Sequence, residues 1–390
     1  MITKLPKFTD CFAEVIAMPS ISSIDPRHDM SNRAVIDLLA GWLADLGFAI
    51  ELVPVLEQPD KLNLIACAGQ GKGGLVLSGH TDTVPYNERA WHQDPFKLTE
   101  KNNKFYGLGT TDMKCFFPIV IETLKQIDLT SLKQPLYILA TCDEESTMSG
   151  ARALVHAKRT LGRHALIGEP TGLKPINMHK GIVMESIKLK GRSGHSSDPA
   201  LGINALEGMH TVISSLMQWR KKIQAEEHNP AFKVSTPTLN FASIRGGDNP
   251  NRICADCEMN IDLRLLPHMD LEQARADIRK TVMQSIDGSG LSVEFDSLIE
   301  GLPGMQTDAN AEIVKLAEQL TGEPAGTVAF GTEGPYLNSL GMDTVVLGPG
   351  DIEQAHQANE YLSLDRIKPM QHILTKMIEQ FCMKESGYVG

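Results

Sequence analysis

Apolar and polar positions alternate along this chain with two different periods, and the switches between them mark its elements. In SNRAVIDLLAGWLADLG, Val35, Leu38, Leu39, Trp42 and Leu46 fall on one helical face, with Ser31 as an N-cap and Gly47 as a stop. FAIELVPV, KLNLIACAG and GGLVLSG then read as short strands. The rhythm continues with helix KCFFPIVIETLKQI, strand PLYILAT, helix SGARALVHAKRTL and strand HALIG. Such alternation predicts an α/β domain whose parallel or mixed sheet carries helices on both faces.

Between Gly181 and about Leu298 the order changes. Strand IVMESIKLKG, helix NALEGMHTVISSLMQWRKKI, strands TPTLNFASI and ICADCEMNIDLRLL, helix DLEQARADIRKTVMQSI and strand LSVEFDSLI spell βαββαβ, the split-βαβ (ferredoxin-like) α+β pattern. After it, NAEIVKLAEQLTG, GTVAFGTEG, DTVVLGPG and RIKPMQHILTKMIEQF restore the first rhythm. The expected organisation is therefore a first domain in two parts, 1–180 and 299–390, with a second domain inserted at 181–298. At 390 residues and 42% hydrophobic content, two domains also suit the length.

Composition narrows the partners. A net charge of −11 opposes binding to a phosphate backbone, which needs a basic face, and favours a small solute over nucleic acid. The start, MITKLPKFTDCFAEVIAMPS, lacks the features of a signal peptide, and no segment approaches the ~20 apolar residues needed to span a bilayer. A cytoplasmic protein without a membrane partner is expected. The seven scattered cysteines, an odd number, do not form a disulfide framework and are expected to be reduced.

Polar residues collect where strands end. His80 and Asp82 follow LVLSG; Asp143, Glu144 and Glu145 follow PLYILAT; Glu169 follows HALIG; His356 lies beyond DTVVLGPG. If those strands are parallel, their loops meet on the edge where open α/β sheets bind ligands. Asp112, in YGLGTTDMK before a helix, is a further candidate. Carboxylates facing one another repel, and burying them calls for a cation; imidazole with carboxylate suits zinc, cobalt or manganese more than calcium. Asp82, two residues after His80, is placed to hold the imidazole by its other ring nitrogen. Taken singly, each feature has a plainer reading, as a loop histidine beside a capping aspartate or an acidic turn at a helix start. GQGKGG and GLGTTD lack the spacing of phosphate and dinucleotide loops, and GRSGHSS misses a nucleophile elbow by one position. A strand would send Cys254 and Cys257 to opposite faces, so they are read as packing residues.

SGHTDTVP, YGLGTTDMK, DEES, GEPT, GRSGHSSDP and GPGDIEQAHQANEY, in this order and spacing, resemble the signatures of the dinuclear zinc aminoacylases and metallocarboxypeptidases. The resemblance covers essentially the whole chain. LYILATCDEE, HKG, RSGHSSDPA, NRICADCE and the closing LGPG, AHQ, EY and IKP are similar to the members that deacetylate N2-acetyl-L-ornithine. Cys115 stands where the family usually has Gly after Asp-Met-Lys.

The resemblance implies two divalent metal ions, zinc first, with cobalt or manganese as alternatives. His80, Asp112 and Glu169 would hold one, and Asp112, Glu145 and His356 the other. Glu144 would act as general base for attack by a metal-bridging hydroxide. His195, in the inserted domain, would support the oxyanion from the other subunit of a homodimer. Asn251 and Arg264 would hold a substrate α-carboxylate. Glu333, an acid in the Gly-flanked loop FGTEGP, is assigned here to the ornithine cation. The implied activity is hydrolysis of N2-acetyl-L-ornithine to L-ornithine and acetate, for arginine synthesis. The alternatives are another N-acyl amino acid amidohydrolase, a desuccinylase or a dipeptidase of the family, and, from another class, a non-catalytic small-molecule binder.

Overall fold

LVLSGH, residues 75–80, is a strand buried at all six positions, which explains why its apolar residues Leu75, Val76 and Leu77 are consecutive and do not alternate with polar ones. It lies at the centre of a mixed sheet in the structure, a computed structural model describing residues 5–55 and 58–384, with only the backbone of Pro59. Leu136–Thr141 and His164–Ile167 flank it in parallel, and Asp343–Val346 runs parallel to His164–Ile167. Gln58–Ala68 and Ala49–Val55 extend the sheet antiparallel on one side, and Ile176–His179 pairs antiparallel on the other. The chain forms two compact units. One comprises residues up to Asn177, Thr307–Gly326 and everything from Thr332; the other comprises Met178–Gln306 and Thr327–Gly331.

Strand Gln58–Ala68 shows how the first unit covers both sheet faces. Leu62, Leu64, Ala66 and Ala68 join a large core with Phe12, Leu39, Phe116, Met370 and Ile373, from the helices Phe8–Ile16, Arg33–Asp45, Phe116–Leu124 and Ile367–Cys382. Asn63 points the opposite way and donates to the carbonyl of Gly150 in helix Ser149–His156, 2.8 Å away. Period-two alternation thus places one helical layer on each side. Helix Arg33–Asp45 differs from expectation at its start. Ser31 accepts from the N–H of Arg33, but Asn32 occupies the cap position and spends its side chain on Leu62 and Thr81 of the sheet. The buried amide ties the helix to the strand layer, a role local capping rules do not reveal.

Two glycines let the helix Phe116–Leu124, buried at every position but Glu122, approach the ends of the central strands. A Cβ at Gly168 would lie 2.3 Å from the Phe116 ring, and one at Gly79 would lie 2.5 Å from Met113 Cε. These are the residues immediately before Glu169 and His80. Packing at this density admits no extra methyl, so the strand tips are held by core contacts.

In the second unit the strands run in the order Thr238–Gly246, Asp256–Leu265, Gly181–Lys190, Ser292–Ser297, all antiparallel. Helices Ala205–Glu226 and Leu271–Ser285 pack on the sheet with a separate core that includes Ile187, Val212, Leu216, Leu263 and Ile278. The expected βαββαβ grammar is the one observed. All seven cysteines are free; Cys254 precedes the strand Asp256–Leu265 that holds Cys257, so the two do not share a strand and the opposite-face argument does not apply to them. Among the described residues no helix is long and apolar enough to cross a membrane.

One buried charge is central to this second core. Glu185 is fully buried and accepts from Arg275 Nε at 2.9 Å, Arg279 Nε at 2.9 Å and Ser297 Oγ at 2.7 Å. Removing one partner of such a pair leaves the others desolvated and uncompensated. Glu185→Ala is therefore expected to cost about 3 kcal/mol, read as a lowered urea midpoint; a loss below about 1 kcal/mol, the scale of an exposed pair, would contradict this.

Candidate metal centre

Parallel pairing sets the strand ends level. His80 is the last residue of its strand and pairs with Thr141, while Ser78 pairs with Ile167. With two further residues, the neighbouring strand reaches Glu169; with two to four, the other reaches Asp143, Glu144 and Glu145. His356 arrives from the loop after Asp343–Val346, and Asp112 from the loop before helix Phe116–Leu124. Five separate segments deliver these groups to one place.

Each imidazole there faces two carboxylates through a single nitrogen. His80 Nε2 lies 3.2 Å from Asp112 Oδ1 and 3.5 Å from Glu169 Oε1. His356 Nε2 lies 3.4 Å from Asp112 Oδ2 and 3.0 Å from Glu145 Oε2. Asp112 therefore offers one oxygen to each histidine. Donor atoms of His80, Glu144 and Glu169, and those of His80, Asp112 and Glu145, form groups within 4.8 Å. His80 is fully buried, whereas the side chain of His356 is 54% exposed, so the cluster meets solvent on that side.

Hydrogen bonding alone does not account for this geometry. His80 Nδ1 is 3.0 Å from the carbonyl oxygen of Asp82, which only accepts, so Nδ1 carries the proton of a neutral ring. Its Nε2 lone pair then points at two carboxylate oxygens. That is repulsive unless a second proton or a cation lies between them. Donors bound to one ion at ~2.0–2.2 Å stand roughly 3.3–3.6 Å apart in a tetrahedron; two of the four His–carboxylate distances, 3.4 and 3.5 Å, fall in that range and the other two, 3.0 and 3.2 Å, lie just below it. Glu169 Oε1 is buried with no hydrogen-bond partner. The residues present fit a bound metal.

The acid–base balance leads to the same conclusion. Burial, together with repulsion from Asp112, pushes Glu145 up to about 7. Burial also raises Glu144 and Glu169 well above the usual carboxylate range, with their acidic neighbours adding to it. Burial opposes the charge of His80, yet Glu169, Asp112, Asp82 and Glu144 hold it well above an ordinary imidazole. Hydrogen bonds to Asp112 and Glu145 raise His356 to about 10. Asp112 is buried, but His356 and His80 keep it below the usual carboxylate value. Without metal, protons supply the positive charge that this cluster requires.

The remaining acids at this edge have other tasks. Asp82 contacts His80 chiefly through its backbone carbonyl; its carboxylate is 3.6 Å from Nδ1 and instead accepts from the N–H of Glu145 at 3.0 Å. The Asp82 carboxylate thus stays beside the imidazole while its hydrogen bond orients the Glu145 loop. Asp143 is buried and accepts from Lys61 Nζ and Ser22 Oγ, both at 2.8 Å, and from Ser149 Oγ at 2.9 Å. Its left-handed backbone (φ 56°) turns the chain so that Glu144 and Glu145 follow. Lys61, Lys114 and Glu360 are buried charged residues that the sequence reading did not assign. Lys114 Nζ donates to the carbonyl of Met18 at 2.6 Å. Cys115 is buried, with its N–H on the carbonyl of Gly109 at 3.1 Å.

Glu333 belongs to the same unit and is buried, which lifts it to about 7. Neither of its oxygens is reached by a well-formed hydrogen bond; the neighbouring Thr141 hydroxyl donates to the carbonyl of Gly79 at 3.2 Å, and its nearness only partly offsets the effect of burial on Glu333. His195, Asn251 and Arg264 lie in the other unit. His195 is exposed, with Nδ1 2.7 Å from Ser197 Oγ. Asn251 is exposed and accepts through its carbonyl from the N–H of Ser196 at 3.0 Å. Arg264 is gripped by Asp262 of its own strand, at 2.9 and 3.0 Å.

Comparison with known proteins agrees with this architecture. The chain is 48% identical over 379 residues, 97% of its length and 99% of the relative's, to the acetylornithine deacetylase of Pasteurella multocida (strain Pm70). Its fold resembles the M20 family metallo-carboxypeptidase Sso-CP2 of Sulfolobus solfataricus (TM-score 0.73, 16% identity, 96% and 99% of the two chains). It also resembles YXEP of Bacillus subtilis, a dinuclear metal binding peptidase from the M20 family (TM-score 0.65, 15% identity, 95% and 97% covered). With residues 76–380 matching peptidase family M20/M25/M40, a span that holds every ligand candidate from His80 to His356, the chain belongs to that family of hydrolases.

Proposed function

We propose that this chain is a cytoplasmic, metal-dependent amidohydrolase that removes the acetyl group of N2-acetyl-L-ornithine, giving L-ornithine and acetate. The near-full-length 48% identity to an acetylornithine deacetylase carries the substrate assignment. The ring of His80, Asp112, Glu145, Glu169 and His356 supports a two-metal site, with Asp112 shared and zinc the first choice of ion. When bound, the ions supply Lewis acidity, which polarises the acyl carbonyl and makes hydroxide available near neutral pH.

The chain's own groups do the rest. Glu144 stands beside Glu145 with its carboxylate near His80 and Glu169, close enough to serve the site without being needed as a ligand. In this proposal it accepts the proton of the attacking water and returns it to the leaving amine nitrogen. Asp82 orients His80 and the Glu145 loop. Asn251 and Arg264 hold the α-carboxylate, Arg264 through the part of its guanidinium that Asp262, bonded to Nε and Nη2, leaves free. His195 supports the oxyanion from the partner subunit of a homodimer. Glu333, a desolvated acid with no partner of its own, receives the substrate's ammonium.

The decisive experiment is acetate release from N2-acetyl-L-ornithine. Activity should vanish with a chelator and return with zinc or cobalt. Glu144→Gln should lose about 10²–10⁴-fold in kcat while still binding metal; a metal-replete wild type as inactive as Glu144→Gln would favour a non-catalytic binder.

Substrate choice is read by comparing acetylornithine, acetylmethionine and succinyl-diaminopimelate. Wild type should prefer acetylornithine, and Glu333→Gln should lose most of that preference over acetylmethionine; an unchanged ratio would remove Glu333 from the specificity pocket.

Titration of the metal-free protein gives an independent check. Glu145 (4.5 to about 7) and His356 (6.5 to about 10) are both raised, so the folded chain holds protons that the unfolded chain has released. Stability of the chelated protein should therefore fall as pH rises through these windows. The Tm of chelated protein is expected to drop between pH 5 and pH 8, while the gain in Tm from added zinc grows over the same interval. A zinc gain independent of pH would mean that these groups do not exchange protons for metal.

A further inference from the structure

Asp112 is the carboxylate on which both histidines converge, yet it sits on a loop, YGLGTTD, that has no regular structure of its own from Gly107 to Asp112. Glu360 closes over that loop. Its carboxylate is buried and accepts three backbone N–H bonds: from Gly109 at 2.9 Å on Oε2, and from Thr111 at 2.6 Å and Asp112 at 2.9 Å on Oε1. The backbone of the same segment adds two more links. The carbonyl of Glu360 accepts from the N–H of Gly107 at 3.2 Å, and that of Tyr361 accepts from Thr111 Oγ1 at 2.6 Å. Some 250 residues of sequence separate these partners.

This arrangement is one-sided. Backbone N–H groups in a buried loop must find acceptors, and here a single side chain serves three of them. Gly109 adopts φ 85°, and a Cβ on it would meet Lys114 Cδ at 2.9 Å and Thr83 Cγ2 at 3.1 Å, so the loop has one tight path. Glu360 also lies four residues beyond His356, and the segment between them is anchored where Asn359 Oδ1 accepts from the N–H of His92 at 2.8 Å. One short stretch thus carries a histidine of the cluster at one end and the clamp on Asp112 at the other.

We infer that Glu360 is a positioning residue: by binding the N–H groups of Gly109, Thr111 and Asp112, it fixes the Asp112 carboxylate at the distance from His356 that a pair of divalent cations requires. It does not contact substrate or metal. The inference rests on the two-metal reading of the site, and its test separates the two.

Two measurements decide it. In the metal-stripped wild-type protein, hydrogen exchange at the amides of Gly109, Thr111 and Asp112 should be slowed by at least ~100-fold relative to an open loop; exchange at loop rates would overturn the inference whether or not metal binds. In Glu360→Gln, the amide nitrogen presents a donor where Gly109 needs an acceptor. Cobalt titration of this variant should still reach two ions, but with affinity lowered about 10–100-fold, the usual cost of losing an outer partner of a ligand. The cobalt d–d spectrum should change as well. Val314→Ala, a cavity at a buried position of the helix Glu312–Thr321, serves as the control for lost stability and should leave affinity and spectrum alone. Wild-type cobalt affinity in Glu360→Gln, or an equal loss in Val314→Ala, would reduce Glu360 to a structural residue. A wild type that binds no cobalt while its loop amides are protected would instead remove the metal reading and leave the clamp intact.

Discussion

Carboxylates cannot be gathered in a buried place without a positive charge among them, and this constraint organises the first unit. Asp112, Glu144, Glu145 and Glu169 share one strand edge with the fully buried His80, and among the described residues the ion pairs of Asp112, Glu145 and Glu169 are made to histidine, with no lysine or arginine. The raised values of Glu145 and His356 express the same imbalance as protonation. Everything that holds the ring together must therefore withstand mutual repulsion as well as thermal motion. That explains why its supports are buried, hydrogen-bonded and drawn from distant parts of the chain.

The acids at this edge fall into two physical kinds. Asp143 and Glu360 are saturated: one by Lys61, Ser22 and Ser149, the other by three backbone N–H groups. Their lone pairs are occupied, so they shape loops. Glu169 keeps an orphaned oxygen, and among the described residues the carboxylates facing His80 and His356 have shared imidazole nitrogens as their partners. Those are available to a cation. Asp82 is intermediate, with one oxygen on the Glu145 amide and the other unpaired. Sequence proximity does not sort these roles, since Asp143 and Glu144 are adjacent and differ completely.

The legible part of the fold was the part fixed by period and by strand chemistry. LVLSGH and PLYILAT announce buried strands because both faces are covered, and acids just beyond parallel strands must meet on one edge. The βαββαβ unit was legible from its order alone. Less legible was anything that depends on a partner far along the chain. Asn32 caps nothing and instead stitches helix to sheet, and Lys61 reads as a surface lysine until Asp143 and Asp29 are seen at 2.8 Å from it. Glu360 lies in the same signature stretch as His356, but its role appears only when the 107–112 loop is folded beneath it. The Asp82 carboxylate lies 3.6 Å from His80 Nδ1 but spends its hydrogen bond on the N–H of Glu145, because an HxD spacing fixes reach but not which of two acceptors, carbonyl or carboxylate, bonds the ring.

Family membership covers proteins described as peptidases and as a deacetylase, and the bond they break is in each case an amide. The cation ring acts on that shared bond, so it cannot by itself distinguish an acetyl group on ornithine from a peptide. Discrimination has to come from groups that pay a desolvation penalty when the right substrate is absent. Among the described residues, Glu333 is the carboxylate with both oxygens buried and unpartnered, and it stands beside Thr141 at the level of His80. An acid in that condition is neutralised by a proton or by an incoming cation. In the role proposed for Glu333, a substrate with an ammonium group offers the second, whereas a neutral side chain leaves the penalty unrelieved. The same physics that gathers metal into the ring would then select the charge of what the ring acts on.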